Sequence, residues 1–391
     1  MVHWQNWSGK LESTAHSIQF LRTEEDTCAL AEHANDNGLV IRAAGATHSH
    51  APLVKTTGIV ADLQGLSGVM STETADNSAW IWAGSRIFTL GRPLHEAGLA
   101  LHNQGDIDQQ AIAGATATGT HGTGPKLKNL SAAVRGMTIA TASGELITTS
   151  PDRNPDIFTA ARQHLGAFGI VTRIKLELEP AYRLREHTWQ ADLDELLENW
   201  SEHAEQNRHF EFFWYPQEDR GQAKTINPTT DEPEYPLAAE GARCGWSYEV
   251  LPNHRPHKHT EMEYSVPKEH GAACMREIQS LLTNQFSDIA WPIEYRTLAA
   301  DDVWLSTAYE RDTVTISVHQ DVRLDDEVYF RACEEIFLSF QGRPHWGKVN
   351  YLNAAQMSER HPRWEQWWQI RDELDPRGTF LNDYLRGLQP A

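Results

Sequence analysis

Short apolar runs set off by turn residues dominate the first 180 positions. Residues 39–41, 58–63 and 79–83 read as strands bounded by turns. Residues 90–98 (LGRPLHEAG) read as a short helix that Gly98 stops. Residues 137–142 and 144–149 suit a hairpin turning at Thr141-Ala142-Ser143-Gly144. Residues 170–179 (IVTRIKLELE) alternate apolar and polar, the pattern of a half-buried strand, and Pro180 ends it. From about residue 181 the chain is richer in charge and aromatic rings. Strands are expected at 210–215, 260–266, 293–297 and 313–319, with covering helices at 274–283 and 327–337. Two loop-like tracts interrupt them, 227–236 (NPTTDEPEYP) and 251–257 (LPNHRPH). After Lys348 comes a short polar helix whose Trp364, Trp367 and Trp368 read as a face packed on the first part of the chain. The whole predicts an α+β arrangement without internal repeats.

Composition narrows the function classes. The 391 residues allow two or three domains and need no disulfide staple. The formal charge of −20 disfavours nucleic acid and anionic membranes as partners. No run of 18 apolar residues exists, and the first residues, Met1 to Trp7, do not resemble a secretory signal. The scattered Cys28, Cys244, Cys274 and Cys333 contain no C-x-x-C and suit reduced thiols in a cytoplasmic protein. The 14 Trp and 19 His stand out.

Several chemistries have no motif. Walker A, G-x-G-x-x-G after a strand, H-E-x-x-H and G-x-S-x-G do not occur. Two loops instead gather small residues, hydroxyls and histidines. The first runs from Arg42 to His50 (RAAGATHSH), the second from Ala113 to Gly124 (AGATATGTHGTG). Backbone N–H groups of such loops approach an anion closely because no bulky Cβ intervenes, so the pair suits a pyrophosphate.

These residues resemble a family. Gly45-Ala46-Thr47-His48-Ser49 followed by A-T-G-T-H-G-T-G at 117–124 is similar to the FAD-linked oxidases of the vanillyl-alcohol oxidase superfamily. The match is to its sugar branch, the D-arabinono- and L-gulono-1,4-lactone oxidases with their alditol oxidase relatives. Asn6-Trp7-Ser8-Gly9, Leu165 to Val171, Arg343-Pro344-His345-Trp346-Gly347-Lys348 and Phe380 to Leu385 resemble further signatures of that branch, H-W-G-K being the most specific.

The resemblance implies a two-domain fold. Residues 1–180 would bind FAD, residues 181–348 would form an antiparallel cap over the flavin ring, and residues 349–391 would return to the first domain. His48 would carry the flavin covalently, with His50 as its competitor in the same H-S-H stretch. Arg42, Ala44, Gly45, Ala46, Thr47 and Ser49 would serve the cofactor from the first loop. Gly114, Thr118, Gly119 and His121 would line the other side. Ile170 and Val171 would meet the adenosine part, and Gly105 and Asp106 the flavin ring.

Flavin oxidation of an alcohol needs help in removing the hydroxyl proton and positive charge near the ring. Glu294-Tyr295-Arg296 places a carboxylate and a guanidinium at i and i+2, on one face of a strand. In the family this E-x-R pair and a lysine act on the substrate. Arg296 would stabilise the developing alkoxide, Glu294 would orient it, and Lys348 would be either a neutral general base or a fixed positive charge. His319 in S-V-H-Q suits lactone oxidases, whereas alditol oxidases tend to place Thr there. Asp106 stands where they place Ser.

The implied enzyme oxidises C2 of an aldono-1,4-lactone, with hydride transfer to flavin N5 and O2 as acceptor, giving H2O2. A small residue at Gly105 leaves room for O2. An alditol oxidase and a dehydrogenase using another acceptor are the alternatives. A catalytically silent His-rich metal-binding protein is the alternative of another class. His254, His257 and His259 are its basis, but a polar loop leading into the next strand suits them better, and no metal is expected.

Overall fold

The computed structural model describes residues 1–390. The strands divide into two systems. In the first part, Ile41–Ala44 and Ser17–Phe20 flank Ile59–Asp62 in a parallel three-stranded sheet. Beside it, Leu146–Thr149, Val134–Ala140, Ile170–Glu177, Ser78–Trp82 and Val69–Glu73 form an antiparallel sheet in that order. The hairpin at 134–149 turns with Gly144 at φ +77°. Gly98 at φ +77° follows the helix Ile87–Glu96.

Later in the chain, eight strands make one antiparallel sheet. Their order is Cys244–Trp246, Arg183–Ala191, Arg220–Pro228, His209–Tyr215, Ile293–Leu298, Thr313–Asp321, His259–Pro267 and Arg343–Pro344. One face carries Phe212, Met262, Tyr264, Ile293, Tyr295, Ile316 and Val318 into a buried cluster. The helices Leu193–Gln206, Gly271–Gln285 and Glu327–Ser339 cover it with Leu196, Ile278, Phe330 and others.

The end of the chain packs on its beginning. Trp364, Trp367 and Trp368 of the helix Trp364–Leu374 enter the core that holds Ile139, Phe168 and Ile170. Trp346 joins them, stacked on Trp364 at 5.9 Å and 6°.

Some elements differ from the pattern reading. The strand expected at 39–41 begins only at Ile41, because Leu39 closes the helix Glu24–Asp36 by donating to Ala34 O. The second small-residue loop is a helix over Ile112–Thr118, ended by Gly119 at φ +75°. It is buried on almost every side, so it carries no polar stripe from which a helical period is readable. Strand Ile170–Glu177 stops before Pro180, and Glu179–Pro180 pairs separately with Leu99–Ala100. All four cysteines are free. Among the described residues no helix is long and apolar enough to cross a membrane.

Candidate active site

The central strands of the eight-stranded sheet are buried on both faces, and the second face is polar. Cross-strand register builds this face. Glu263 lies opposite Ser317, and Ser317 opposite Glu294. Glu261 lies opposite His319, and Phe213 opposite Glu294. The strict period of two sends Glu261 and Glu263 to this side and Met262 and Tyr264 to the helices.

Buried charges of this kind require partners. Glu294 Oε2 lies 3.1 Å from Arg296 Nη2, so the two share a face and an ion pair. Arg296 also reaches Glu263, whose carboxylate accepts from Ser317 Oγ at 2.8 Å and His121 Nε2 at 2.9 Å. Glu261 pairs with the ammonium of Lys348, with His259 and His319 close by.

The charge states follow from this placement. Burial pushes the Glu263 carboxyl up, but His121, Arg296 and His345 outweigh it and hold it well below the usual carboxylate range. Burial opposes the Glu261 charge likewise, and Lys348 with His259 and His319 overcomes it. Glu294 differs. Burial raises it, Arg296 opposes, and the nearby Glu211, Asp106 and Glu261 raise it further, to about 8. Burial lowers His319 to about 4 against the pull of Glu261.

The H-W-G-K segment is held from both sides. His345 N donates to Glu263 O and Val349 N to Glu261 O, which lays the turn along the strand His259–Pro267. Trp346 Nε1 donates to Leu305 O at 2.8 Å and its indole is fully buried. Gly347 O accepts from His50 N at 2.7 Å, joining this turn to the first loop. That loop is braced by the N-terminal motif. Asn6 Nδ2 donates to Ser49 O, Trp7 N donates to Thr47 O, and the Trp7 indole stacks on His48 at 4.9 Å. Burial, then Arg86, Lys348 and His259, lower His48 to about 4, so its imidazole is neutral.

A cavity of about 540 Å³ lies between the two sheet systems. Glu294, Arg296, Lys348 and His319 line it, as do His48, Arg42, Gly45, Ala46, Thr47 and Ser49. Gly105, Asp106, Gly114, Thr118, His121 and Val171 line it as well. Ala44, Gly119 and Ile170 stay outside. Ala44 packs on Trp4 and Val60, Gly119 packs on the Gln163 side chain, and Ile170 points into the core.

Three residues inside the cavity wall are engaged by protein groups. The Arg42 guanidinium donates to the carbonyls of Leu53, Leu165, Gly166 and Phe380. Thr118 Oγ1 donates to Gly114 O within its helix. The Asp106 carboxylate is met by Asn253 and Arg255, with Lys224 Nζ at 3.7 Å. The pattern reading missed Glu261, Glu263, Trp7, Trp291, Phe213 and Arg255 as wall residues. For the two glutamates the signal is present in H-T-E-M-E-Y-S, polar at every second position, but it reads equally as a solvent face.

The cavity suits a long, partly anionic cofactor. Its volume falls within the usual range for small-molecule sites. Gly114 exposes backbone to it, since a Cβ there would meet nothing within 4 Å. Along its walls, His50 Nδ1, Gln110 Oε1 and His164 Nε2 are buried without a partner, and these polar atoms can serve a bound ligand.

Comparison with known proteins agrees. The family profile described as FAD binding domain matches residues 16–150. That described as D-arabinono-1,4-lactone oxidase matches residues 174–246 and 237–388. The structure of cholesterol oxidase from B. sterolicum superposes with a TM-score of 0.85 at 18% identity, covering 99% of this chain and 96% of that one. The fold is of the vanillyl-alcohol oxidase type, and the matched profiles define an FAD-dependent oxidoreductase. L-gulono-1,4-lactone dehydrogenase of Mycobacterium tuberculosis is 34% identical over 98% of both chains. L-gulonolactone oxidase of Bos taurus is 26% identical over 98% of this chain and 97% of its own. The chain belongs to the D-arabinono-1,4-lactone oxidase family.

Proposed function

We propose that this enzyme oxidises the C2 alcohol of an aldono-1,4-lactone, with FAD held covalently by His48 and O2 as acceptor, releasing H2O2. One observation carries the reading. Glu294 Oε1 and Arg296 Nε are both buried without partners in the wall of the cavity whose opposite side bears His48. One orphaned acceptor beside one orphaned donor suits a substrate hydroxyl, which accepts from Nε and donates to Oε1.

The chain's own groups then divide the work. Residues 1–180, with the return from 349, serve as the cofactor domain, and residues 181–348 as the cap. FAD when bound supplies the two-electron oxidant that accepts the substrate hydride. The neutral His48 ring keeps a nitrogen lone pair available for the covalent link. Arg296 and Lys348 place positive charge at the reacting end, where the alkoxide develops. His319 and Trp291 form the wall beside them.

A neutral, polyhydroxylated substrate fits the far wall. Arg255 there is met by Asp106 and Glu240, which leaves it no unpaired charge for an anionic substrate. Gly105 supports O2 as acceptor, because its surroundings are open enough that an added Cβ would come no nearer than 3.4 Å to protein atoms. A dehydrogenase reading with another acceptor is favoured by the name of the relative from Mycobacterium tuberculosis. The four free thiols suit work in the cytoplasm.

A screen decides among these. L-gulono-1,4-lactone, D-arabinono-1,4-lactone, xylitol and sorbitol are each supplied in air with peroxide detection, and separately without O2 with a reducible dye. Peroxide from the lactones supports the proposal. Dye reduction without peroxide selects the dehydrogenase, and turnover of the polyols alone selects the alditol oxidase.

A further inference from the structure

We propose that Glu261 holds Lys348 as an ammonium ion beside the reacting centre, and that Glu294 takes the hydroxyl proton. The inference rests on the alcohol-oxidising reading above and assigns its proton. It also gives a task to Glu261, a positioning residue that acts through Lys348.

The surroundings of Lys348 come first. Its Nζ sits on Glu261 Oε2, and Glu261 is the carboxylate that meets it. The other titratable groups around it are imidazoles. His259 lies 3.7 Å and His319 3.8 Å from the Glu261 oxygens. His48, His50 and His345 also feel the lysine charge, and all three are pushed down by burial and then by neighbouring charges that include it. Deprotonating Lys348 would take from the buried Glu261 carboxylate the cation it sits on, which buried sites strongly disfavour. The ammonium therefore serves as a fixed positive charge.

Glu294 has the opposite situation. Arg296, on its own strand, is the cation that pairs with it, and Arg296 is shared with Glu263. Glu211 from the strand His209–Tyr215, Asp106 from its loop, and Glu261 from the strand His259–Pro267 all repel its charge. Ser317 lies opposite it on the strand Thr313–Asp321, and the Ser317 hydroxyl is given to Glu263 instead. So Glu294, a residue of the cavity wall, keeps an Oε1 with no donor of its own, in a field that favours its protonated form. A carboxylate with proton affinity near the working pH is a suitable general base.

The step balances within this set. The substrate O–H bond breaks and its proton passes to Glu294 Oε1. The oxygen, held by Arg296 Nε, becomes a carbonyl as the C–H bond breaks. The hydride, with its electron pair, would pass to FAD, the oxidant that the residues of this cavity would hold.

Two measurements on the holoenzyme test this separately. In the first, an amine-acylating reagent is applied at pH 7.5 and each lysine is read by peptide mass spectrometry. Lys348 is expected to react severalfold more slowly than exposed lysines, and Glu261→Gln to recover that factor. Wild-type Lys348 that acylates as fast as exposed lysines would overturn the proposal even if the variant did not fold. In the second, flavin bleaching by L-gulono-1,4-lactone without O2 is followed against pH. Glu294→Gln is expected to slow bleaching by about 10²–10⁴-fold and to remove its rise with pH. Lys348→Met is expected to slow it while keeping that rise. Loss of the rise in Lys348→Met with retention in Glu294→Gln would overturn the assignment. If neither lactones nor polyols bleach the flavin, the function reading fails, and the acylation result still decides the role of Glu261.

Discussion

His121 Nε2 lies 2.9 Å from a Glu263 carboxylate oxygen, and this buried bond ties the A-T-G-T-H-G segment to the polar face of the later sheet. His121 Nδ1 meets Gly122 O at 2.8 Å, so both ring nitrogens face acceptors. The next residues continue the join. Thr123 Oγ1 donates to Phe210 O, and Gly124 N donates to Thr297 O.

Removing the charge at Glu263 breaks this join and strips Arg296 of a partner. Glu263→Gln leaves Arg296 with Glu294 alone and is expected to lower unfolding stability by about 1–3 kcal/mol, the cost of a buried polar group losing a partner. Urea unfolding at pH 7 measures it. A loss below about 1 kcal/mol, the scale of surface pairs, would show that the network is slack.

Two of the cavity glycines make opposite demands. A Cβ at Gly45 would lie 2.6 Å from Ala111 Cβ, and both atoms are fixed close to the backbone. Gly45→Ala is expected to cost about 1–3 kcal/mol by overpacking and to lower FAD content as well. A Cβ at Gly114 meets nothing within 4 Å, so Gly114→Ala is expected to fold without loss. Its methyl projects into the cofactor space, so the purified protein should carry less flavin. Thermal melting paired with the flavin-to-protein absorbance ratio separates the two effects.

At Gly105 the question is oxygen. Gly105→Ala has room, with Thr120 Cγ2 3.4 Å from the added Cβ. Flavin reduction by substrate should be unchanged, and reoxidation by O2 should slow by about tenfold or more, a barrier increase of roughly 1.4 kcal/mol. Stopped-flow mixing of the reduced enzyme with O2 reads it. Unchanged reoxidation would remove Gly105 from the oxygen path.

The covalent link is tested by acid. Flavin should stay with the wild-type chain after acid precipitation and should leave His48→Ala. Retention in His48→Ala together with loss in His50→Ala would move the link to His50.

Glu294 also predicts a pH dependence of stability. Its folded value of about 8 lies above the ordinary 4.5, so the folded state binds a proton that the unfolded chain has released. The contribution is complete below about pH 4.5 and is lost as pH rises through 8. Glu294→Gln should therefore show a smaller fall in melting temperature between pH 5 and 8.5 than the wild type. Parallel curves would show that Glu294 titrates alike in both states.

Much of the cavity wall is legible in the sequence alone. Glu294 and Arg296 were legible because i and i+2 on a strand share a face whatever the strand packs against. His48 and Lys348 were legible through short motifs, G-x-x-H-S and H-W-G-K, whose geometry is local. Glu261 and Glu263 were not. Their alternation is plain, yet polar residues on one face of a strand normally meet water, and only the packing of the two sheet systems turns that face inward. The helix Ile112–Thr118 was hidden for a related reason, since burial of nearly its whole surface erased the stripe that marks a helix.

Arg42 marks the boundary between the two levels. The sequence by itself determined the four central strands of the later sheet, the small-residue segments of the cavity wall and the family's motifs, because backbone sterics, side-chain period and short spacings act over a few residues. Tertiary structure decided which charges meet. Arg42 opens a loop that looks made for an anion, yet its donors reach carbonyls at positions 53, 165, 166 and 380. Lys348 is paired by a glutamate 87 positions away. Such partners come together only when distant segments fold against one another, and a buried charge takes its role from the partner it finds there.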